Sequence, residues 1–274
     1  MEARTARRLA GFVAGLALSS AQAQPADRLT IDGSTGVMPL VAALARDYEQ
    51  RRPGASVVMG AGLGTKARLA ALAEGKIDIA LASHGLAAGE LARQGLAARE
   101  IARIGVVFGV HASVPIAGLS ERQVCDIYAG SLRDWRAVSG PDLAIAPLAR
   151  PDSEVDSEVI RDKIGCLKDL RFADTVKLMP RSGDMAKALA ATPGAIGVTT
   201  MTVVEQSRGQ IRALLLNARP PTAENVKTGA YELVRASYLV TKAPPPPAVA
   251  RFLDFVLSAE GSAVIAANGA VPVR

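Results

Sequence analysis

Two α/β lobes joined by two crossovers are what the sequence predicts, with the N- and C-terminal segments sharing one lobe. Three observations carry that prediction. From residue 29 onward, short apolar runs alternate with stretches of helical spacing to the end of the chain. The chain from Gln24 to Arg274 is long enough for two lobes of roughly 100 to 150 residues each. Aromatics are only 4% of residues, so the elements must pack through Ala, Val and Leu. No internal repeat or low-complexity tract points instead to a solenoid or a tail.

The organising stretch runs from Leu29 to Leu40. An apolar strand, Leu29 to Ile31, breaks into a small-residue turn at Gly33, Ser34, Thr35 and Gly36, and a helix begins near Pro39. Proline suits a first helical turn because its missing N–H has no partner there anyway. Unpaired backbone donors and partial positive charge at a helix start make small hydroxyl residues there a candidate anion site, with an ordinary N-cap as the alternative. Val41, Leu44, Ala45 and Tyr48 continue the helix, which stops before Pro53-Gly54.

The same theme recurs. A β-rich run, Ala55 to Met59, leads into Gly60-Ala61-Gly62-Leu63-Gly64-Thr65-Lys66 and a helix carrying Leu69, Leu72 and Ala73. The order Gly-Thr-Lys fails the phosphate-loop pattern and the glycine spacing fails the dinucleotide one; a second anion-facing turn remains. Ile77 to Ser83 is a strand ending at His84, and Ile104 to Val110 is another, with a crossover between lobes near Gly109 to Ser113. Ser120 with Gln123 makes a capping box for a helix to about Tyr128.

In the second lobe a strand from Leu143 to Ala149 delivers Arg150 at its end. A polar turn, Asp152 to Asp156, and a helix from Ser157 follow. Val176 to Met179 is a strand before Arg181-Ser182-Gly183-Asp184 opens a helix through Met185 and Leu189. Pro193-Gly194 closes it, and Ala195 to Thr199 and Ile211 to Leu216 are strands. Tyr231 to Val240 is the return crossover, Pro244 to Pro247 a stiff spacer, and helices with Phe252, Phe255, Val264 and Ile265 finish the chain. For Ser157 and Ser182 a role as N-caps stands beside a role at a site. For Arg150 the alternative is a surface pair with Asp152 or Asp156. His111 reads as a surface histidine near the crossover and Trp135 as a packing anchor.

The address is written at the start. Arg4, Arg7 and Arg8 precede an apolar run, Leu9 to Leu18, and Ala21-Gln22-Ala23 closes a secretory signal peptide cut after Ala23. The run is too short to span a membrane and no cysteine follows to carry a lipid. The net charge is +6, of which the signal supplies +2. The remaining positive charge is spread out, without the basic block and aromatics that nucleic-acid binding needs. Cys125 and Cys166 are either a disulfide, the usual state of an even count in an oxidising compartment, or two separate buried thiols.

Several stretches together resemble the phosphate-binding group of periplasmic solute-binding proteins that feed ABC importers. They are Asp32-Gly33-Ser34-Thr35 with Pro39-Leu40, Ile77 to Ser83, Val114 to Ser120, Asp126-Ile127-Tyr128-Ala129-Gly130 with Asp134-Trp135, Pro193 to Gly197, and Tyr231-Glu232-Leu233-Val234-Arg235 leading to Tyr238-Leu239-Val240. The resemblance implies a two-lobed clamp, each lobe a mixed sheet flanked by helices, closing on a tetrahedral oxyanion. It places Ser34 and Thr35 on the first lobe and Arg150 on the second as ligand groups, a guanidinium adding a fixed fork of donors. The departures from the family pattern are Leu63 for a serine, Ser153-Glu154-Val155-Asp156-Ser157 for a glycine-serine-glycine-threonine run, and His84 for an acceptor aspartate.

The resulting expectation is a signal peptide over residues 1–23, lobe one from 27–109 with 230–274, and lobe two from 110–229. The candidate ligand-binding residues are Ser34, Thr35, Gly36, Gly64, Thr65, His84, Arg150, Asp156, Ser157, Ser182 and Gly183. The expected partners are a small anionic ligand such as phosphate and an inner-membrane ABC permease, with no cofactor and a monomeric protein. Two other readings use the same scaffold: a secreted phosphoester hydrolase with Ser34 or Thr35 as nucleophile, and an extracytoplasmic ligand-sensing receptor. Against the hydrolase, the chain has two histidines and neither a Gly-x-Ser-x-Gly nor a His-Glu-x-x-His motif.

Overall fold

A computed structural model describes residues 27–84 and 87–273; the expected signal peptide lies outside them. The first half lays down β1 (Arg28–Gly33), α1 (Met38–Arg51), β2 (Ser56–Met59), α2 (Thr65–Ala73), β3 (Ile79–Ala82), α3 (Ala88–Arg93) and the long β4 (Leu96–His111). Then come β5 (Gly118–Leu119), α4 (Glu121–Tyr128), β6 (Ala146–Ala149), α5 (Val155–Lys163), β7 (Lys177–Leu178), α6 (Ser182–Ala191) and β8 (Ala195–Thr200). The chain closes with α7 (Met201–Gln206), β9 (Ile211–Ala213), β10 (Leu215–Leu216), α8 (Ala223–Thr228), β11 (Val234–Lys242), α9 (Pro247–Leu257), α10 (Ala259–Ala267) and β12 (Ala270–Pro272).

The helices form where spacing and caps direct them. Pro39 sits in the first turn of α1, Arg51 in its last, and Leu40, Val41, Leu44, Ala45 and Tyr48 bury one face. Ser120 caps α4 through the reciprocal bonds of a capping box, accepting from Gln123 N–H at 3.2 Å while the Gln123 side chain accepts from Ser120 N–H at 2.8 Å. Cys125 of α4 and Cys166, just past α5, form a disulfide with Cα atoms 6.2 Å apart, which pins these two elements of lobe two together. Trp135 is fully buried and donates its indole N–H to the Gly194 carbonyl at 3.0 Å, as a packing anchor should.

The main sheet runs β2-β1-β3-β11-β4-β8-β6-β7. Parallel pairs β1·β2 and β1·β3 come from strand–helix–strand units, while β11 and β4 enter antiparallel. β4 serves both lobes. Residues up to Gly105 pair with β11, and from Val106 onward they pair with β8. Two cores lie either side of that switch, one around Ile31, Leu44, Tyr48, Leu81, Ile104 and Phe252, the other around Val107, Phe108, Tyr128, Trp135, Ile160 and Ile196.

Some elements differ from expectation for local reasons. β4 begins eight residues before Ile104, in a stretch (Leu96 to Arg103) where exposed positions 97–99 and 103, with the charged Arg99, Glu100 and Arg103, interrupt the apolar run. α5 starts at Val155, two residues before Ser157, since no glycine interrupts Glu154-Val155-Asp156. That early start draws Asp156 into the first helical turn.

Candidate functional site

The cleft between the lobes is built from two turns held side by side. Asp32, at the end of β1, accepts N–H bonds from Gly33 at 2.6 Å and from Gly62 at 2.9 Å, joining the first turn to the glycine loop. Gly33 has a positive φ of 136°, and a Cβ there would stand 2.4 Å from the Leu81 carbonyl oxygen, so only glycine lets the turn lie against β3. The next N–H, of Ser34, bonds that same carbonyl at 2.9 Å. Ser34, Thr35, Gly64 and Thr65 thereby share one wall.

Two arginines of lobe one complete it. Arg235, on β11, is 3% exposed. Its Nη1 donates to Asp156 Oδ1 at 2.6 Å and its Nη2 to Ser34 Oγ at 3.4 Å and to Ser83 Oγ. Asp156 belongs to α5, so this ion pair bridges the lobes. Arg68, on α2, is also 3% exposed; its Nη2 donates to Thr65 Oγ1 at 2.9 Å and to the His84 carbonyl at 3.3 Å. Among the described residues no carboxylate lies within ion-pair distance of Arg68, and its Nε has no partner. Burial pushes the Arg68 guanidinium below its ordinary pKa; the charge of Glu154 opposes that and the charge of Arg235 adds to it.

These groups face a cleft of about 410 Å³ whose lobe-two wall is Ser153, Glu154, Val155, Pro180 and Arg181. Of the residues expected from sequence, Ser34, Thr35, Gly64, Thr65 and His84 line it. His84 Nδ1 lies 3.6 Å from Glu158 Oε2 across the lobes.

The other expected residues stand elsewhere. Arg150, at the end of β6, is 1% exposed and does not line the cleft, donating to the Met179 carbonyl at 2.7 Å and to Glu154 Oε2 at 2.6 Å. Glu154, where the resemblance has a small residue, intercepts it. Asp156 serves Arg235 rather than a ligand. The Ser157 hydroxyl is no N-cap; it donates to the Arg150 carbonyl at 2.9 Å. Gly36 packs behind Arg235, where a Cβ would stand 2.0 Å from Nη1. Ser182 and Gly183 border a separate groove with Pro39, Val203 and Gln206, though Ser182 N–H reaches Thr35 Oγ1 at 3.4 Å. His111 turns to Ser113, its Nδ1 2.8 Å from the hydroxyl.

Arg68, Arg181, Arg235 and Glu154 are cleft residues that sequence reasoning does not assign to the site. Arg235 ends a quoted stretch, Tyr231 to Arg235, and could have been found there. Arg68 lies one helical turn after Thr65, a weaker signal.

In sum of charge, Arg150 is matched by Glu154 and Arg235 by Asp156, which leaves Arg68 and Arg181 as cleft arginines without a carboxylate partner among the described residues. Among the described residues no group of His, Cys, Asp and Glu could hold a metal ion.

The fold and this cleft define a two-lobed α/β binding protein. Residues 19–260 match the PBP superfamily domain, and the chain belongs to that superfamily. It is 27% identical over 250 residues to the phosphate-binding protein PstS of Bacillus subtilis, covering 89% of this chain and 80% of that protein. Among solved structures it is similar to a putative phosphate ABC transporter substrate-binding protein from Clostridium perfringens with bound phosphate, at 27% identity and a TM-score of 0.73, covering 90% of this chain and all of that one. An ABC-type phosphate transport receptor from Vibrio cholerae is 25% identical with a TM-score of 0.59, covering 89% and 99% of the two chains.

Proposed function

We propose that the protein is an extracytoplasmic solute-binding protein that captures a small, phosphate-like oxyanion between its lobes and delivers it, as a monomer, to an ABC permease. The observation that carries this reading is Arg68. A buried guanidinium without a carboxylate partner is costly, and an oxyanion in the cleft offsets that cost. Ser34, Thr35 and Thr65 hydroxyls and the first-turn N–H groups of α2 and α5 surround the same space. The names of the relatives in Bacillus subtilis and Clostridium perfringens support phosphate as the first ligand to test.

Binding without catalysis fits the hydroxyls. Ser34 Oγ accepts from Arg235 and Thr35 Oγ1 from Ser182 N–H, so each meets a donor, and among the described residues neither hydroxyl bonds a His, Asp or Glu side chain that would take its proton. Delivery outside the cytoplasm follows the expected signal peptide, and among the described residues no helix is long and apolar enough to cross a membrane. The lobes we infer are residues 27–109 with 230–274 and residues 110–229, joined through β4 and β11; β4 changes partner from β11 to β8 between Gly105 and Val106, a few residues before the boundary expected at 109/110.

The test is a thermal-shift screen of phosphate, sulfate, molybdate, phosphonates and small carboxylates. A ligand that binds only the folded clamp raises its melting temperature, by an amount that grows with concentration over Kd. Phosphate or a close analogue should give the largest rise. A rise with carboxylates alone would sink the oxyanion reading.

A further inference from the structure

We propose that Arg181 is the side chain through which lobe two grips the anion, a role the resemblance implies for Arg150; this deepens the oxyanion reading and rests on it. Five lobe-two residues line the cleft, and only Glu154 and Arg181 among them carry charge. Glu154 brings a carboxylate to the surface, and Arg150 behind it cancels the charge at 2.6 Å without reaching the cleft. Asp156, the next acidic residue, is spent on Arg235. Without Arg181, the lobe would offer an anion a neutralised ion pair with its carboxylate foremost, which gives no reason to close on it.

Arg181 supplies the missing attraction. It is exposed and stands at the N-cap of α6. Among the described residues no carboxylate pairs with it, Asp184 in the first turn of its own helix included. The helix start lies at the seam between lobes, because Ser182 N–H bonds Thr35 Oγ1 at 3.4 Å. Ser182 itself is 7% exposed and its hydroxyl has no partner. Arg68 from lobe one and Arg181 from lobe two are therefore the two guanidinium groups free to meet one oxyanion from opposite sides. A long side chain with a planar fork can follow the anion as the lobes approach.

Calorimetric titration of the mature protein with inorganic phosphate tests this, using wild type, Arg181→Gln, Arg181→Lys and, as a control, Arg136→Gln, whose arginine pairs with Asp134 and Asp142 on the surface of the same lobe. Arg181→Gln should weaken binding roughly 10- to 100-fold, while the ligand-free melting temperature stays within about 1 °C of wild type. Arg181→Lys should recover part of the loss, and Arg136→Gln should bind as wild type. Wild-type affinity in Arg181→Gln, alongside clear phosphate binding, would overturn the assignment and leave the oxyanion reading intact. No binding of phosphate, sulfate or molybdate by wild type would overturn both.

Discussion

Gly36→Ala is the perturbation whose cost can be worked from the coordinates. An added Cβ would stand 2.0 Å from Arg235 Nη1 and 2.7 Å from Cζ and Nη2. No positive φ is involved at this position, so the penalty is the collision alone. The guanidinium must retreat by about 1 Å or more to restore ordinary contact. It is not free to do so cheaply, because Asp156 holds Nη1 at 2.6 Å while Ser34 and Ser83 hold Nη2. Loss of one charge-assisted bond costs about 1.5 to 3 kcal/mol. We therefore expect a melting temperature lower by about 3 to 10 °C for a chain of this size. Phosphate affinity should weaken roughly 10- to 100-fold. Calorimetry and thermal denaturation read the two effects, with Gly165→Ala as the control, since nothing lies within 4 Å of a Cβ there. A Gly36→Ala protein that binds and melts like wild type would refute the placement of Arg235 at the cleft.

Three further outcomes follow from other parts of the molecule. Arg150→Met should act on stability more than on binding: it strands the Glu154 carboxylate, and breaking such a partly buried pair should cost about 2 to 4 kcal/mol in urea denaturation, with phosphate affinity changed less than the Arg181 variants change it. Reducing the Cys125–Cys166 disulfide, which spans 41 residues, should cost about 4 kcal/mol by the chain-entropy estimate and leave binding measurable; an unchanged melting temperature under reductant would contradict this. Asp27 is held by Arg251 first and also by the Tyr48 hydroxyl, at 2.7 Å, which lowers its carboxyl to about 2. A depressed carboxyl stabilises above its unfolded pKa of about 3.9, and the contribution is lost as pH falls through 2. With Arg251 partly exposed, about 1 kcal/mol is expected, so the melting gap between wild type and Asp27→Asn should be present at pH 6 and shrink at pH 2.

How much of this was legible in the sequence depends on how local the cause was. The strand–turn–helix units around Ser34 and Thr65 were, because apolar spacing, glycine turns and Pro39 act within a dozen residues. Gly33 against Leu81 could be inferred only as a tight turn, yet it is what brings the two walls together. Arg235 lies in a crossover strand whose stretch, Tyr231 to Arg235, marks the position but not the role; its partners Asp156 and Ser34 lie 79 and 201 residues away, so nothing local says what it pairs with. Arg150 shows the reverse failure. Its position at a strand end is legible, but Glu154, four residues on, captures it, and sequence alone cannot rank that pair against the ones with Asp152 or Asp156. Arg68 is only weakly marked, because in a helix of Ala and Leu its one-turn spacing from Thr65 does not say which polar residue faces a cleft.

The central claim is that an oxyanion satisfies the buried, unpaired guanidinium of Arg68. Its most direct test is calorimetric titration of phosphate into the mature, dialysed protein and into Arg68→Gln. Wild type should bind with a stoichiometry of one, and Arg68→Gln should bind at least about tenfold more weakly while melting at the same or a higher temperature without ligand, since an unpaired buried charge has been removed. Equal phosphate affinity in the two proteins would contradict the account.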